Sequence, residues 1–347
     1  MRRHLNTLYV TTENAWLRKD GENAVVEIDG DELGRVPVHL LGGIVCFGAI
    51  GMTPALIGHC AERGVCISML GRNGRFLARV EGPVMGNVLL RRTQYRTTDD
   101  AATTARLASQ IVVGKLLNQR TVVRRAIRDH SETTSAEGRD RLRACERRLT
   151  DAARRGRKEP MQTDTIRGIE GEAAREYYSV FDDLTRHDDP AFRFTSRSRR
   201  PPLDPINALL SFLYTLLVHD CRSALETVGL DPAVGYLHRE RPGRPSLALD
   251  IMEELRPVLA DRLALSLINR RQLRARDFET AVSGAVTLRD DARKRVLVAY
   301  QERKKDELLH PFLREKTTLG LVPFVQATLL ARRLRGDLDG YPPFLWR

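Results

Sequence analysis

The strongest constraint on this chain is a change in its hydrophobic periodicity near residue 97. Before that point, short β-branched and apolar runs are separated by turn signals, as where Asp29-Gly30 follows residues 24–28. After it, apolar residues recur every three or four positions, which is typical of amphipathic helices. The sequence therefore predicts an α+β fold, with a small β-sandwich-like domain over residues 1–95 and a larger all-α domain over residues 96–340.

Local signals place individual elements within these two domains. Asn73-Gly74 lies between apolar runs and predicts a hairpin turn. A polar cluster at residue 98 opens a predicted helix that runs towards residue 128. Asp204-Pro205 combines a favoured N-cap residue with proline in the first turn, so another helix is predicted to begin there.

The charge of the chain favours a polyanionic partner. The formal net charge is +12, and residues 96–160 contribute +7 of it, from 16 Lys and Arg against 9 Asp and Glu. Arginine greatly outnumbers lysine, which suits forked contacts with phosphates. A GC-rich genome would also favour arginine over lysine, but it would not explain the positive sign. Nucleic acid is therefore the first partner to consider.

Cysteine usage and hydropathy predict a cytoplasmic protein. The five cysteines include no C-x-x-C pair, which argues against a zinc ribbon and a disulfide framework and favours reduced thiols. No run of about 18 apolar residues predicts a membrane span. Residues 1–5 are not followed by the apolar stretch of a signal peptide.

One candidate site residue is Glu170, which begins an apolar and aromatic helical stripe. A carboxylate on such a face is costly unless it is paired or binds a metal. The alternative is an ordinary N-terminal glutamate favoured by the helix dipole. The other members of the stripe are Ala173, Ala174, Tyr177, Tyr178 and Phe181.

Two further candidates lie close together in sequence. His238 lies in a Gly/Pro-rich loop, and loop histidines usually have no function. The helix after it carries Asp250, Glu253 and Glu254 at spacings that put them on one side. Their mutual repulsion would be relieved by a cation, although such acids more often face water on an amphipathic helix.

Taken together, a glutamate, a histidine and one or two further acids form a ligand set suited to Mn²⁺ or Mg²⁺. In a strongly basic chain such a metal is expected to act on a phosphodiester. No P-loop, G-x-G-x-x-G or G-x-S-x-G motif occurs in a fitting context, so the sequence gives no support for ATP use, NAD use or acyl transfer.

Four ordered motifs over about 90 residues resemble the CRISPR spacer-acquisition integrase family, the metal-dependent DNA endonucleases of CRISPR adaptation. The resemblance extends across essentially the whole chain, in a style similar to the members found beside type I-C systems. The motifs are Arg167-Gly168-Ile169-Glu170-Gly171-Glu172-Ala173-Ala174, Arg199-Arg200-Pro201-Pro202 with Asp204 to Phe212, Gly235-Tyr236-Leu237-His238, and Arg244 to Pro257.

The resemblance implies an architecture and a set of partners. It implies a catalytic helical domain, and a homodimer formed largely through the β-rich domains. It also implies double-stranded DNA, both spacer precursor and CRISPR repeat, as the substrate. A small ferredoxin-like adaptation protein is the implied protein partner, and an iron–sulfur adaptation nuclease is a further one.

The resemblance also implies roles for particular residues. Glu170, His238 and Glu253 correspond to the metal ligands, with Glu254 as a neighbour that could be confused with Glu253. Asp250 and Asn207 correspond to supporting positions of the catalytic site. Tyr178, Arg244 and Arg256 correspond to positions that bind nucleic acid. The implied reaction is direct attack of a spacer 3′-hydroxyl on a phosphodiester at the edge of a repeat, without a covalent protein intermediate.

Two other functions remain open at the level of sequence. A branched-DNA repair nuclease would use the same kind of site, since that site can both cut and join phosphodiesters. A non-catalytic DNA-binding scaffold would keep the fold without the metal, although all three candidate ligands are present.

Replacing Glu170, His238 or Glu253 singly by alanine is expected to abolish catalysis and leave DNA binding nearly intact, because only metal ligands are lost. DNA cleavage and joining assays beside gel-shift titrations measure both. Glu254→Ala is the control and is expected to be much milder. Full activity in one of the three variants would remove that residue from the ligand set.

Overall fold

The computed structural model describes residues 6–71, 76–80, 82, 88–129, 135–158, 160–187 and 189–346. The chain divides into two compact units, residues 1–85 with 293–297, and residues 86–292 with 298–347. The division thus falls before residue 86, whereas the sequence placed it after residue 95. The predicted Asn73-Gly74 turn and the predicted lack of a signal peptide over residues 1–5 both lie outside the described residues.

The first unit is built from short strands and one helix, as its β-branched runs predict. Thr53 caps the helix by accepting a hydrogen bond from the backbone N–H of Leu56, and Pro54 takes its first position. The elements are β1 (Asn6–Val10), β2 (Trp16–Asp20), β3 (Asn23–Ile28), β4 (Asp31–Pro37), β5 (Leu41–Phe47), β6 (Gly51–Met52), α1 (Pro54–Glu62), β7 (Cys66–Leu70) and β8 (Phe76–Val80).

Two four-stranded sheets share one core in this unit. One sheet has the order β1-β5-β7-β8 and the other the order β4-β3-β2-β6. Apolar side chains of both sheets, among them Ile44 and Ile67 from the first and Leu17 and Val26 from the second, belong to one buried cluster. The expected β-sandwich-like domain is therefore confirmed.

The second unit is mostly helical, and two short hairpins add to the predicted all-α pattern. Its helices are α2 (Val88–Asp99), α3 (Ala101–Asp129), α4 (Ala136–Gly156), α5 (Thr163–Ser179), α6 (Phe181–Leu184), α7 (Pro205–Val228), α8 (Ser246–Leu255), α9 (Arg262–Asn269), α10 (Asp290–Lys305, of which residues 293–297 group with the first unit) and α11 (Val322–Arg335). The hairpins pair β9 (Phe278–Thr280) with β10 (Val286–Leu288) and β11 (Glu307–Leu309) with β12 (Lys316–Thr318).

Helix boundaries follow local chemistry, with one correction. The helix predicted to open near residue 98 and run towards residue 128 is α3, at whose start the Asp100 carboxylate accepts the N–H of Ala102 at 3.0 Å. The correction concerns α2, which begins at Val88 inside the stretch of residues 1–95 that was predicted to be β-rich. The α7 start is as predicted, with Asp204 accepting the N–H of Asn207 at 2.8 Å. Helix α8 passes at its end into a π-helical turn, Arg256–Asp261, where Pro257 has no N–H to continue the α-helical pattern.

All five cysteines are free thiols, in agreement with the reduced state expected. Among the described helices, none is both long and apolar enough to cross a membrane.

Candidate functional site

Glu170 lies about two turns inside α5, not at its beginning. The helix-dipole explanation for this residue is therefore wrong, since the dipole acts within the first turn. About one and two turns further along the same helix, Ala173 and Tyr177 are buried. The Glu170 side chain itself is about one-quarter exposed, at 26%. Its carboxylate thus lies at the edge of an apolar face and is accessible to a partner.

Asp250 holds His238 in one orientation. Its carboxylate accepts the backbone N–H groups of Tyr236 at 2.6 Å, Leu237 at 3.0 Å and His238 at 2.9 Å. It also lies 2.7 Å from His238 Nδ1. An Nδ1–H that donates to Asp250 leaves the Nε2 lone pair free to face the site, the usual arrangement of a ligating histidine. Gly235 permits this packing, because a Cβ there would lie 2.8 Å from Asp250 Oδ2.

Two contacts join the His238 loop to the helix that carries Glu170. The Arg167 side chain, one turn before Glu170 on α5, donates from Nε to the carbonyl oxygen of Leu237 at 2.6 Å. Arg239 donates to the Asp164 carboxylate at 3.0 Å. The motifs around residues 170 and 238, which are far apart in sequence, are therefore neighbours in space.

Glu253 is the most deeply buried of the three predicted ligands, with a relative exposure of 2%. Its carboxylate lies 2.7 Å from Lys115 Nζ, 2.9 Å from an Arg256 nitrogen and 3.7 Å from His238 Nε2. Burial by itself would raise the pKa of Glu253, but the Arg256 and Lys115 cations outweigh it and lower that pKa to about 2. Glu253 is therefore ionised at neutral pH.

Lys115 is a member of the site that the sequence argument missed. Its ammonium group contacts the carboxylates of both Glu170 and Glu253, so one cation brings the two predicted ligands together. The signal was a single lysine inside an apolar stretch of α3, where Ile111, Val112, Val113 and Leu116 are buried. A cation in such a position requires an anionic partner.

Glu254 faces away from this cluster, which separates it from Glu253. Its carboxylate accepts hydrogen bonds from Gln326 Nε2 at 2.9 Å, from the backbone N–H of Phe344 at 2.8 Å and from the Tyr341 hydroxyl. Burial raises the pKa of Glu254 to about 7, although these hydrogen bonds act in the opposite direction. Two adjacent glutamates therefore have opposite electrostatic environments, and only Glu253 faces Glu170 and His238.

The interpretation of residues 250–254 as a water-facing acidic surface is wrong. Asp250 and Glu254 are fully buried, and Glu253 is 2% exposed. The three side chains also bind three different parts of the unit, so they do not form one repelling cluster. Glu254→Ala is consequently no longer a mild control, because it would leave the Tyr341 hydroxyl and the Phe344 N–H without an acceptor and remove one acceptor from Gln326.

The remaining predicted residues surround the cluster at different depths. Asn207 is buried and makes hydrogen bonds to Asp204, Ser196, Ser198 and Arg197, so it holds the loop before α7.

Arg256 is mostly buried, pairs with Glu253 and lies 4.9 Å over the Tyr214 ring. Tyr178 shares a 2.7 Å hydrogen bond with the hydroxyl of Tyr214. Arg244 is half-buried, and burial together with Arg241 lowers its pKa.

The chemistry of these side chains fits a hard divalent cation. Two carboxylates already meet on one positive atom, and a histidine nitrogen lies 3.7 Å from the second. Within the described ranges, no group of three or more His, Cys, Asp or Glu side chains is arranged to hold a metal as it stands. Lys115 and Arg256 neutralise the carboxylates instead.

The chain thus combines a β-sandwich-like unit with a helical unit in which buried acids surround His238, and these features define the class of protein. Comparison with known proteins identifies the family. The family model for the CRISPR associated protein Cas1 matches residues 8–302. The chain is 58% identical over its full length to CRISPR-associated endonuclease Cas1 2 of Rhodospirillum rubrum, and 54% identical to endonuclease Cas1 1 of Chlorobaculum tepidum, each covered completely. The chain therefore belongs to the Cas1 family, and the resemblance and the enzyme class expected from the sequence are confirmed.

Solved structures support the same fold. The Cas1 protein of Thermotoga maritima superposes with a TM-score of 0.80 at 23% identity, covering 97% of this chain and 99% of that one. A casposase bound to its integration product superposes with a TM-score of 0.82 at 21% identity, covering 99% and 95%. At these identities the likeness shows the shared architecture of both units.

Two further matches are to Cas1 sequences that occur together with other Cas proteins, in a complex or in a fusion. A Cas6-RT-Cas1–Cas2 complex contains a chain that superposes with a TM-score of 0.78 at 24% identity, where this chain covers 36% of that polypeptide. A Cas4/Cas1 fusion of Geobacter sulfurreducens is 35% identical over 343 residues, and this chain covers 60% of it.

Asp250→Ala is expected to weaken Mn²⁺ binding by about 10- to 100-fold, because His238 loses the acceptor that fixes its ring. Isothermal titration with MnCl₂ measures this effect. Asp151→Ala is the matched control, since it removes an exposed acid that pairs with Arg154 at the surface of α4 and should leave the affinity nearly unchanged. An Asp250→Ala affinity equal to that of the parent would contradict the orienting role.

Glu254→Ala is expected to lower the free energy of unfolding by at least about 2 kcal/mol, because Tyr341, Gln326 and Phe344 each lose a buried acceptor. Thermal unfolding and limited proteolysis near residues 341–346 measure it. Glu254→Gln keeps the volume and one acceptor oxygen, and should lose less stability than the alanine variant. Parent-like stability of Glu254→Ala would contradict the anchoring role.

Proposed function

We propose that this protein is a CRISPR adaptation integrase that inserts spacer DNA into the repeat array through metal-dependent cleavage and rejoining of phosphodiesters. The observation that carries the proposal is the meeting of Glu170 and Glu253 on one cation, with His238 Nε2 3.7 Å from Glu253. These residues come from three separate motifs, and a structural role for any one of them would not require the other two.

Mn²⁺ or Mg²⁺ is the cofactor that these residues would hold, with Glu170, Glu253 and His238 as ligands. When bound, it would polarise the target phosphate and stabilise the leaving 3′-oxygen. Asp250 keeps the His238 ring in position. Arg256 balances part of the charge on Glu253, and its guanidinium is fixed over Tyr214.

Double-stranded DNA is the proposed substrate, as spacer precursor and as repeat. The net charge of +12 favours binding to its backbone. Near the His238 loop, the pKa of Arg244 is lowered by burial, by Arg241 and, to a smaller extent, by Arg200 and Arg167. A DNA phosphate would relieve the repulsion among these guanidinium groups, which supports the predicted role of Arg244 in DNA binding. Tyr178 and Arg256 belong to the same proposal.

The proposed protein partners follow from the relatives. A second copy of this chain and a small ferredoxin-like adaptation protein complete the integrase, and the occurrence of Cas1 with Cas2 in a solved complex supports the latter. An iron–sulfur nuclease that trims precursors is a further partner, in keeping with the existence of Cas4/Cas1 fusions. The occurrence beside type I-C systems remains part of this proposal.

An integration assay separates the proposed function from its two alternatives. It combines the protein with a spacer precursor, repeat DNA, Mn²⁺ and the small partner. Joined products support the integrase, cleavage alone supports a branched-DNA nuclease, and neither supports a scaffold. Glu253→Ala should abolish joining.

Glu172→Ala is the matched control on the same helix as Glu170. Glu172 is half-exposed and pairs with Arg155 on the surface, so its loss should leave joining unchanged. Loss of joining in both Glu253→Ala and Glu172→Ala would indicate a disturbed fold and not the loss of a metal ligand.

A further inference from the structure

Lys115, whose ammonium bridges two of the predicted metal ligands, is unusually deeply buried for a lysine. Lys115 is 4% exposed, and its Nζ contacts Glu170 and lies 2.7 Å from Glu253 Oε2. A buried ammonium is costly unless anions surround it, and two carboxylates from different helices satisfy it here. Lys115 therefore holds α5 and α8 together at the point where a divalent ion would need both carboxylates.

Charge balance makes the ammonium and the metal competitors. The cluster contains three carboxylates, Glu170, Glu253 and the Asp250 that holds His238, and two cations, Lys115 and Arg256. A divalent ion added to this set would leave an excess positive charge in a largely buried site. If the ammonium leaves, the carboxylates, Arg256 and the divalent ion sum to neutrality. Low-polarity surroundings penalise the first arrangement far more than water would.

The residue type fits an exchangeable cation. The chain contains only seven lysines among its 57 basic residues. A lysine thus stands at position 115 in a chain that otherwise strongly favours arginine. An ammonium is a compact, strongly hydrated charge on a flexible four-carbon stem, whereas a guanidinium forms rigid forked contacts. A lysine can therefore vacate its position without disturbing the helix that carries it.

We propose that Lys115 is the counter-ion of the metal-free site and gives way when a divalent ion binds Glu170 and Glu253. In the metal-free protein its ammonium keeps the two carboxylates together and prevents their repulsion. On metal binding the side chain moves out of the site and offers its charge to an incoming DNA phosphate. This inference rests on the proposed metal site and deepens it, with Lys115 as a positioning residue.

Isothermal titration with MnCl₂ in the absence of DNA tests the exchange on the full-length protein. Lys115→Met is expected to bind Mn²⁺ about tenfold more tightly than the parent, because no ammonium has to be displaced. In EDTA the same variant should unfold at a lower temperature than the parent, and Mn²⁺ should raise that temperature more than it raises the parent's. An affinity equal to or weaker than that of the parent would overturn the proposal.

Lys304→Met is the matched control. Lys304 is equally buried, at 4% exposed, and pairs with Asp220 at 2.9 Å away from the predicted ligands. Its loss should lower stability and leave the Mn²⁺ affinity unchanged. Tighter binding in both variants would show a general effect of lost stability and overturn the exchange. If the parent binds no Mn²⁺, the proposed metal site fails together with this inference, whereas equal binding by parent and Lys115→Met defeats the inference alone.

A measurement on the parent protein covers the case in which Lys115→Met does not fold. With isotope-labelled lysine, the protected ammonium resonance of Lys115 should shift or disappear as MgCl₂ saturates the protein. The ammonium resonance of Lys304 should persist and serves as the internal reference. A Lys115 resonance that is unchanged at saturating Mg²⁺ would overturn the exchange.

Discussion

The burial of three acids on one short helix is the constraint on which the helical unit depends. Asp250, Glu253 and Glu254 on α8 are all withdrawn from water, and a buried carboxylate without partners costs several kcal/mol. Each acid recruits a different segment. Asp250 binds the backbone of residues 236–238, Glu253 binds Lys115 on α3, and Glu254 binds α11 and the segment that follows it. Helix α8 is thus the polar centre around which the apolar packing is arranged.

The different environments of Glu253 and Glu254 give a physical reason for their separate roles. Glu253 is surrounded by cations, which keep it charged and able to bind another cation. Glu254 is surrounded by neutral donors, so burial dominates and its pKa approaches neutrality. Since the two residues are adjacent on a helix, they point about 100° apart, enough to place them in different surroundings. Environment, and not residue type, distinguishes the candidate ligand from its structural neighbour.

Much of this arrangement could be predicted from the sequence, because the signals were local. The change of periodicity located the β-rich and helical parts, and the Asp204-Pro205 step located the start of α7. The motifs with Glu170, His238 and Glu253 were identified by order and spacing. What failed depended on contacts between distant segments. No local pattern shows that Glu254 is satisfied by Tyr341, 87 residues away. Lys115 was missed for the same reason, since its partners are 55 and 138 residues away.

The anchoring of Glu254 also has a consequence for folding. Its donors at Tyr341 and Phe344 lie 87 and 90 positions further along the chain. Pairings between such remote positions close slowly because of their loop entropy. Until the two donors arrive, the Glu254 carboxylate has unused acceptor capacity, so α8 reaches its final packing only after the segment around residues 341–344 has docked against it.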